Sequence, residues 1–238
     1  ESGWKPLLPE RKLGIWWALL TFVVAVGCGT LVSLWAGHLW LRFCATPSFG
    51  FEFLMFQLLF TAAGCLVTVG MLKLRGLSVT VSLALSGFRF SDLRKALLLL
   101  IVLMVLELLV YEGFGLESGA DGYIEALWRR RGSWVFVFIG MCICPAVVEE
   151  LLCRGVLFSG IRNSVRSERW SAFLAIACPA VVFGILHLQY NWYTMVLCMV
   201  YGVVFGIARE ATGSLYPPMI LHEGSNTISL ILLAISEG

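Results

Sequence analysis

Charge is scarce in this chain. Only 13% of its 238 residues are Asp, Glu, Lys or Arg, about half the share of a soluble domain, which is near 25%. Hydrophobic residues make up 59% and mean hydropathy is +0.89, so the solvent that suits the chain is a bilayer. The net charge of +2 comes from basic residues set in short clusters between apolar runs. That pattern implies neither a nucleic-acid partner nor an acidic substrate. CxxC pairs are missing as well. Most of the eight cysteines, among them Cys28, Cys65, Cys142, Cys144, Cys178 and Cys198, lie inside apolar runs. There Cys behaves as a small hydrophobe rather than as part of a disulfide framework. Repeats, low-complexity tracts and a linker to a second domain are absent too. The simplest organisation is a single integral-membrane domain over residues 1–238.

What is present is a series of long apolar runs. A spanning helix needs roughly 20 apolar residues, and seven runs can be marked at 14–41, 51–72, 96–111, 134–153, 170–187, 194–208 and 217–235. The fold class expected is therefore all-α, a polytopic transmembrane helical bundle of about seven to eight helices. Trp16, Trp17, Trp40, Trp134, Trp170 and Trp192 stand near the ends of these runs, where indole rings favour the headgroup level. The third and sixth runs are short for full spans. The first has no small-residue cleavage site and reads as a retained span rather than a signal peptide. The stretch 76–93, GLSVTVSLALSGFRFSDL, is too polar and Gly-broken to span and suits an amphipathic segment at the interface.

Orientation follows from the loops. Lys5, Arg11 and Lys12, then Lys73, Arg75, Arg89, Arg94 and Lys95, then Arg162, Arg166 and Arg169 fall on one side under strict alternation. The positive-inside rule makes that side cytoplasmic, with the N terminus inside and the C terminus outside. The segment 112–133, which holds Glu112, Glu117, Asp121, Glu125 and the triplet Arg129, Arg130 and Arg131, would then be outside. A small-residue pair, GVVFG at 202–206, would let two helices approach closely.

Three short motifs interrupt the apolar background. Glu149 and Glu150 stand together with Arg154 after them, and the run continues through Val156, Leu157 and Phe158. Adjacent residues of a helix point about 100° apart, while residues four apart share a face. Glu150 and Arg154 can therefore pair while Glu149 points elsewhere. Intramembrane ionisable residues usually face a bundle interior or a cavity and tend to be functional, although a solvated surface cluster is the plainer alternative. Phe183 and His187 are also four apart, as are His222 and Asn226, in a run opened by Pro217 and Pro218. Helix–helix hydrogen bonding is the plain reading of that last pair. HExxH fails here, since Asn226 stands where a second His is needed. With only three histidines in the chain, two of them at one-turn spacing from another polar or aromatic residue form a specific constellation with Glu149.

In this order, EExxxR, FxxxH and HxxxN resemble the CPBP family of intramembrane endopeptidases (CAAX proteases and bacteriocin-processing proteins, also called Abi). The motifs here are Glu149-Glu150-Leu151-Leu152-Cys153-Arg154, Phe183-Gly184-Ile185-Leu186-His187 and His222-Glu223-Gly224-Ser225-Asn226, all within 134–235. The resemblance implies that Glu149 and His187 activate a water, that His222 and Asn226 hold the oxyanion, and that Glu150, Arg154 and Phe183 support the site. It also implies a peptide or lipidated protein as substrate, with membrane lipids around it. The expected location is the plasma (inner) membrane of a prokaryote. The family has been described both as metalloproteases and as metal-independent glutamate proteases. No cofactor is the favoured reading, because neither motif has a familiar zinc spacing. The alternative is zinc on Glu149, His187 and His222.

Two points of geometry follow. Glu223, beside His222, faces away from it toward a headgroup or an Arg. Strict alternation sets His187 at the outer end of its helix and His222 at the inner start of another. Their convergence needs tilted or broken helices, for which Pro179 offers a kink. The competing function is a non-catalytic membrane scaffold or immunity protein that keeps the polar cluster for packing.

Overall fold

The structure, a computed structural model, describes residues 12–43, 49–115 and 134–236. Among these, every regular element is helical. The order is α1 (Ile15–Phe43), α2 (Phe49–Leu74), α3 (Val79–Ser82), α4 (Phe90–Phe114), α5 (Trp134–Ser164), α6 (Glu168–Ile185), α7 (Trp192–Thr212) and α8 (Tyr216–Ser236). All except the four-residue α3 are long and apolar enough to cross a membrane, seven in total. The protein is a multi-pass membrane protein. Residues 116–133, with the Arg129–Arg131 triplet, lie outside the described residues, as do Lys5 and Arg11.

Each expected apolar run has its helix, but the ends differ. The two runs that looked short become α4, with 25 residues, and α7, with 21. The fourth run becomes α5, with 31 residues. Extension into polar flanks has a physical reason. A helix end leaves backbone N–H and C=O groups bare, which hydrocarbon cannot satisfy. Local chemistry then sets the ends. Asn191 accepts the Thr194 N–H at 2.8 Å and caps α7, while Gly213 closes it in the left-handed conformation (φ 66°).

Hydrogen bonds between turns show which ends lie together. Ile15 N–H donates to Ser164 Oγ at 2.9 Å and Asn163 Nδ2 to the Leu13 carbonyl at 3.2 Å. Trp17 Nε1 donates to the Met71 carbonyl at 3.1 Å, and Leu215 N–H to the Ala84 carbonyl at 3.0 Å. The starts of α1, α6 and α8 therefore share one end of the bundle with the ends of α2, α5 and α7. Strict alternation of the spans holds, and Lys73, Arg75, Arg162 and Arg166 gather at that end.

The stretch 76–93 departs from the expected amphipathic segment. Only α3 and the first turn of α4 are helical, and Leu77 and Leu83 are buried among Leu13, Leu72, Leu151 and Leu215 rather than turned to lipid. Ala84 sits at positive φ (52°). Its carbonyl holds Leu215, while Ser214 Oγ donates to the Ser86 carbonyl at 2.5 Å. The α7–α8 turn is therefore buried: Ser214 and Leu215 are both 0% exposed. The segment covers the turn, so α8 starts inside the bundle and His222 lies deeper than strict surface-to-surface spans would place it.

The GVVFG pair acts within the chain. A Cβ at Gly206 would stand 3.3 Å from the Ile176 Cα and 3.0 Å from its Cγ2, and one at Gly202 would stand 3.0 Å from the Ala180 Cα. Helices α6 and α7 meet at these glycines, backbone to backbone, as small residues allow in a membrane. Overpacking such a contact costs about 1–3 kcal/mol. Gly206→Leu is expected to lower unfolding stability by that amount in detergent titrations, and an unchanged midpoint would show that α6 and α7 are not tightly apposed.

Candidate active site

Helix α5 runs through the centre of the site. Glu150 and Arg154 are 0% and 1% exposed, deep among apolar neighbours. They pair as their spacing predicts, with Arg154 Nη1 donating to Glu150 Oε1 at 2.9 Å. The other arm of the guanidinium, Nη2, donates to the Gly202 carbonyl at 2.7 Å. Its plane lies over the rings of Phe183 and Phe205, at 5.0 and 5.5 Å from their centroids, which adds cation–π attraction. A buried charge is tolerated only when paired and hydrogen-bonded, and this one has a carboxylate, a carbonyl and two aromatic faces.

A local change of helix type contributes here. Residues Leu151–Leu157 form a π-helical turn, in which the Phe158 N–H reaches five residues back to the Cys153 carbonyl. In an α-helix that N–H would bond Arg154. The Arg154 carbonyl instead accepts from Arg209 Nε of α7 at 3.3 Å. Turns of this kind often occur at functional sites.

Glu150 also holds His222. The imidazole Nδ1 lies 3.0 Å from Glu150 Oε1. The ring stacks on Phe205 at 5.1 Å and meets Phe183 edge-on at 5.5 Å. Glu149, one residue earlier, points another way, as the helical 100° step requires. Its side chain is 25% exposed and lines a cavity of about 600 Å³. Its Oε2 stands 4.0 Å from His222 Nε2 and has no hydrogen-bond partner.

His187 lies in the turn after α6. Its Nδ1 is 2.7 Å from the Phe183 carbonyl. A carbonyl only accepts, so Nδ1 carries the hydrogen and the neutral ring keeps its lone pair on Nε2. The Phe183 ring touches both imidazoles, His187 at 4.9 Å and His222 at 5.5 Å. Asn226, one turn beyond His222, donates from Nδ2 to the Met141 carbonyl at 3.0 Å. Glu149, His187, His222, Asn226 and Phe183 all line the same cavity, whereas Glu150 and Arg154 lie behind its wall. Glu223 turns away from His222 as expected, but it accepts from Thr227 Oγ1 of its own helix at 3.0 Å rather than reaching an Arg.

The zinc alternative does not fit this geometry. Among the described residues, no three His, Cys, Asp or Glu side chains converge to hold a metal ion.

The sequence reading missed other wall residues. Tyr201 of α7 donates to Glu107 Oε2 of α4 at 2.6 Å, and both line the cavity with Glu52 of α2. Glu52 and Glu107 are carboxylates inside apolar runs, the same signal that drew attention to Glu149. The Gly202 carbonyl and the Phe205 ring leave no such trace, because a backbone acceptor and an apolar ring look ordinary in a membrane helix.

Residues 131–228 match the family model of the type II CAAX prenyl endopeptidase Rce1-like proteins. All three motifs fall inside this segment. An uncharacterized 24.3 kDa protein of Escherichia coli is 24% identical over 122 residues, covering 50% of this chain and 55% of the relative. The chain therefore spans about half the length of this curated relative. No solved structure matches the chain.

Removing one member of a buried ion pair typically costs about 3–5 kcal/mol, because the other is left uncompensated. Arg154→Met is expected to lose about that much stability in detergent, and Glu150→Gln with Arg154→Met clearly less than the two single losses summed. Additive losses in this double-mutant cycle would mean that the pair is not energetically coupled.

Proposed function

We propose that the protein is an intramembrane endopeptidase that hydrolyses a peptide bond in a membrane-associated or lipid-anchored peptide or protein. The observation that carries this reading is that Glu149 lines one cavity with His187, His222 and Asn226, its side chain 25% exposed and its Oε2 4.0 Å from His222 Nε2. A carboxylate open to a cavity beside two imidazoles and a carboxamide is placed to act on a water. The match of residues 131–228 to a peptidase family supports the same reading.

In the proposed mechanism, Glu149 takes a proton from a water as that water attacks the scissile carbonyl carbon. His187 orients the water through its Nε2 lone pair. The carbonyl π pair moves onto oxygen, and Asn226 and His222 donate hydrogen bonds to the resulting oxyanion. Collapse of this intermediate breaks the C–N bond, and the proton held by Glu149 passes to the departing amine. The proton count constrains His222. With Glu150 as a carboxylate, Nδ1 must donate to it, so a second hydrogen on Nε2 makes the ring an imidazolium. Removing one such preorganised donor costs about 10²–10³ in kcat.

The basic end of the bundle faces the cytoplasm in this reading, with the N terminus inside, and the membrane is the plasma (inner) membrane of a prokaryote. His187 then stands toward the outer side.

The test is cleavage of a peptide library by purified protein in detergent. Wild type is expected to cut, Glu149→Gln to lose at least about 10²-fold in rate, Asn226→Ala to lose about 10²–10³, and a chelator to change nothing. Cleavage that survives Glu149→Gln would remove the assigned base. Loss on chelation with recovery on added zinc would overturn the metal-free mechanism.

A further inference from the structure

We infer that a second cavity, between α1 and α2, is the subsite for a long basic side chain of the substrate, with Glu52 as the residue that selects its positive charge. The inference rests on the proposed peptidase activity and names the class of peptide it would act on.

Glu52 lies in the first turn of α2. An acid there complements the helix dipole, but that role calls for no cavity, and Glu52 faces two. With Phe56 it lines the catalytic cavity, and the same two residues line a neighbouring cavity of about 210 Å³. The two cavities therefore share a wall. Ala36 and Gly37 of α1 and Met55 and Leu59 of α2 give the smaller one its apolar surface. Ser33 also lines it, but its hydroxyl already donates to the Phe56 carbonyl at 3.1 Å. An apolar cavity of about 150 Å³ holds a benzene, so this one has room for the methylene stem of a lysine.

The remaining polar groups specify what accompanies the stem. Glu52 Oε1 and Trp40 Nε1 are both buried without a hydrogen-bond partner in the protein, and Trp40 lines the same cavity. The carboxylate oxygen accepts, whereas the indole nitrogen only donates. A hydrocarbon tail would meet neither. A peptide with a basic side chain meets both, bringing a cation to Glu52 and a carbonyl to Trp40. The indole face adds cation–π attraction. Long basic side chains lay an apolar stem along apolar surface and keep the charge at a polar tip, which is the division this cavity offers. Among the described residues no Lys or Arg lines either cavity, and Arg42, two positions beyond Trp40, is exposed. The counter-charge that a partly buried carboxylate needs is then the substrate's.

The test starts from a peptide that wild type cuts, remade with lysine, norleucine or alanine at each position in turn. At one position wild type is expected to favour lysine over norleucine about 10- to 100-fold in kcat/KM, the range for a hydrogen bond to a charged group. Glu52→Gln is expected to bring that ratio to about one. Gly37→Leu, at a glycine where an added Cβ meets nothing within 4 Å, is expected to fill the cavity and lower the lysine-to-alanine ratio, and it serves if Glu52→Gln does not fold. A lysine preference that survives both substitutions overturns the inference, as does a wild type indifferent to charge at every position. Binding is read separately from the thermal midpoint in detergent with n-hexylammonium or n-hexanol. The ammonium is expected to raise the wild-type midpoint more than the alcohol does, and Glu52→Gln to abolish that excess; an equal excess in both proteins overturns the inference. Stabilisation by phosphatidylethanolamine that depends on Glu52, with no lysine preference in cleavage, would make this a lipid site and overturn it too. If wild type cuts no peptide, the proposed function fails, while the midpoints still decide whether Glu52 takes a cation.

Discussion

An arginine and a glutamate cannot rest at membrane depth without partners, and the core of this protein is arranged around that constraint. Glu150 and Arg154 satisfy each other first, one turn apart on α5. Each has capacity left over. Arg154 places its second arm on the Gly202 carbonyl, and Glu150 holds His222 through the same oxygen that takes the guanidinium. Three helices are thereby tied to one ion pair. The rings of Phe183 and Phe205 close around the guanidinium, and those rings also pack on the imidazoles. Support and site are one continuous network.

That network explains features that look unrelated along the chain. Gly202 and Gly206 let α7 lie against α6, which brings the Gly202 carbonyl within reach of Arg154. In the π-helical turn after Glu150 the Arg154 carbonyl accepts from Arg209, and in the one at Ile139–Ile143 the Met141 carbonyl accepts from Asn226. In each case a side chain from another helix bonds a backbone acceptor where α5 is irregular. Irregular backbone is tolerated at this depth because it lines protein or a cavity rather than lipid.

Much of the fold was legible from hydropathy. The seven spans, their alternation and the exclusion of 76–93 from the set follow from the need to hide backbone polar groups in hydrocarbon. The helix ends were less legible, because polar flanks that cannot be told from loops by hydropathy continue the hydrogen-bond ladder. The stretch 76–93 misled in detail. Its Leu77 and Leu83 look suited to a lipid interface, but they cover the buried turn before α8, and only the position of Leu215 reveals it. At the site, the pairing of Glu150 with Arg154 and the divergence of Glu149 could be read from the 100° step of a helix. The capture of His222 by Glu150 could not, since those residues are 72 positions apart.

By itself the sequence determined that this chain lives in a bilayer, where its helices run, and which few ionisable residues are too costly to be there by accident. Each of these is a local property, set by transfer free energy and helical periodicity over one or two turns. The tertiary structure alone decided which of those residues meet. It set Glu149 toward a cavity and Glu150 behind its wall, and it recruited Glu52 and Glu107 from the N-terminal half. It also set the depth of His222 by burying the turn before it. These outcomes depend on how helices far apart in sequence pack, and on where their backbones approach closely enough for one carbonyl to serve another helix's side chain.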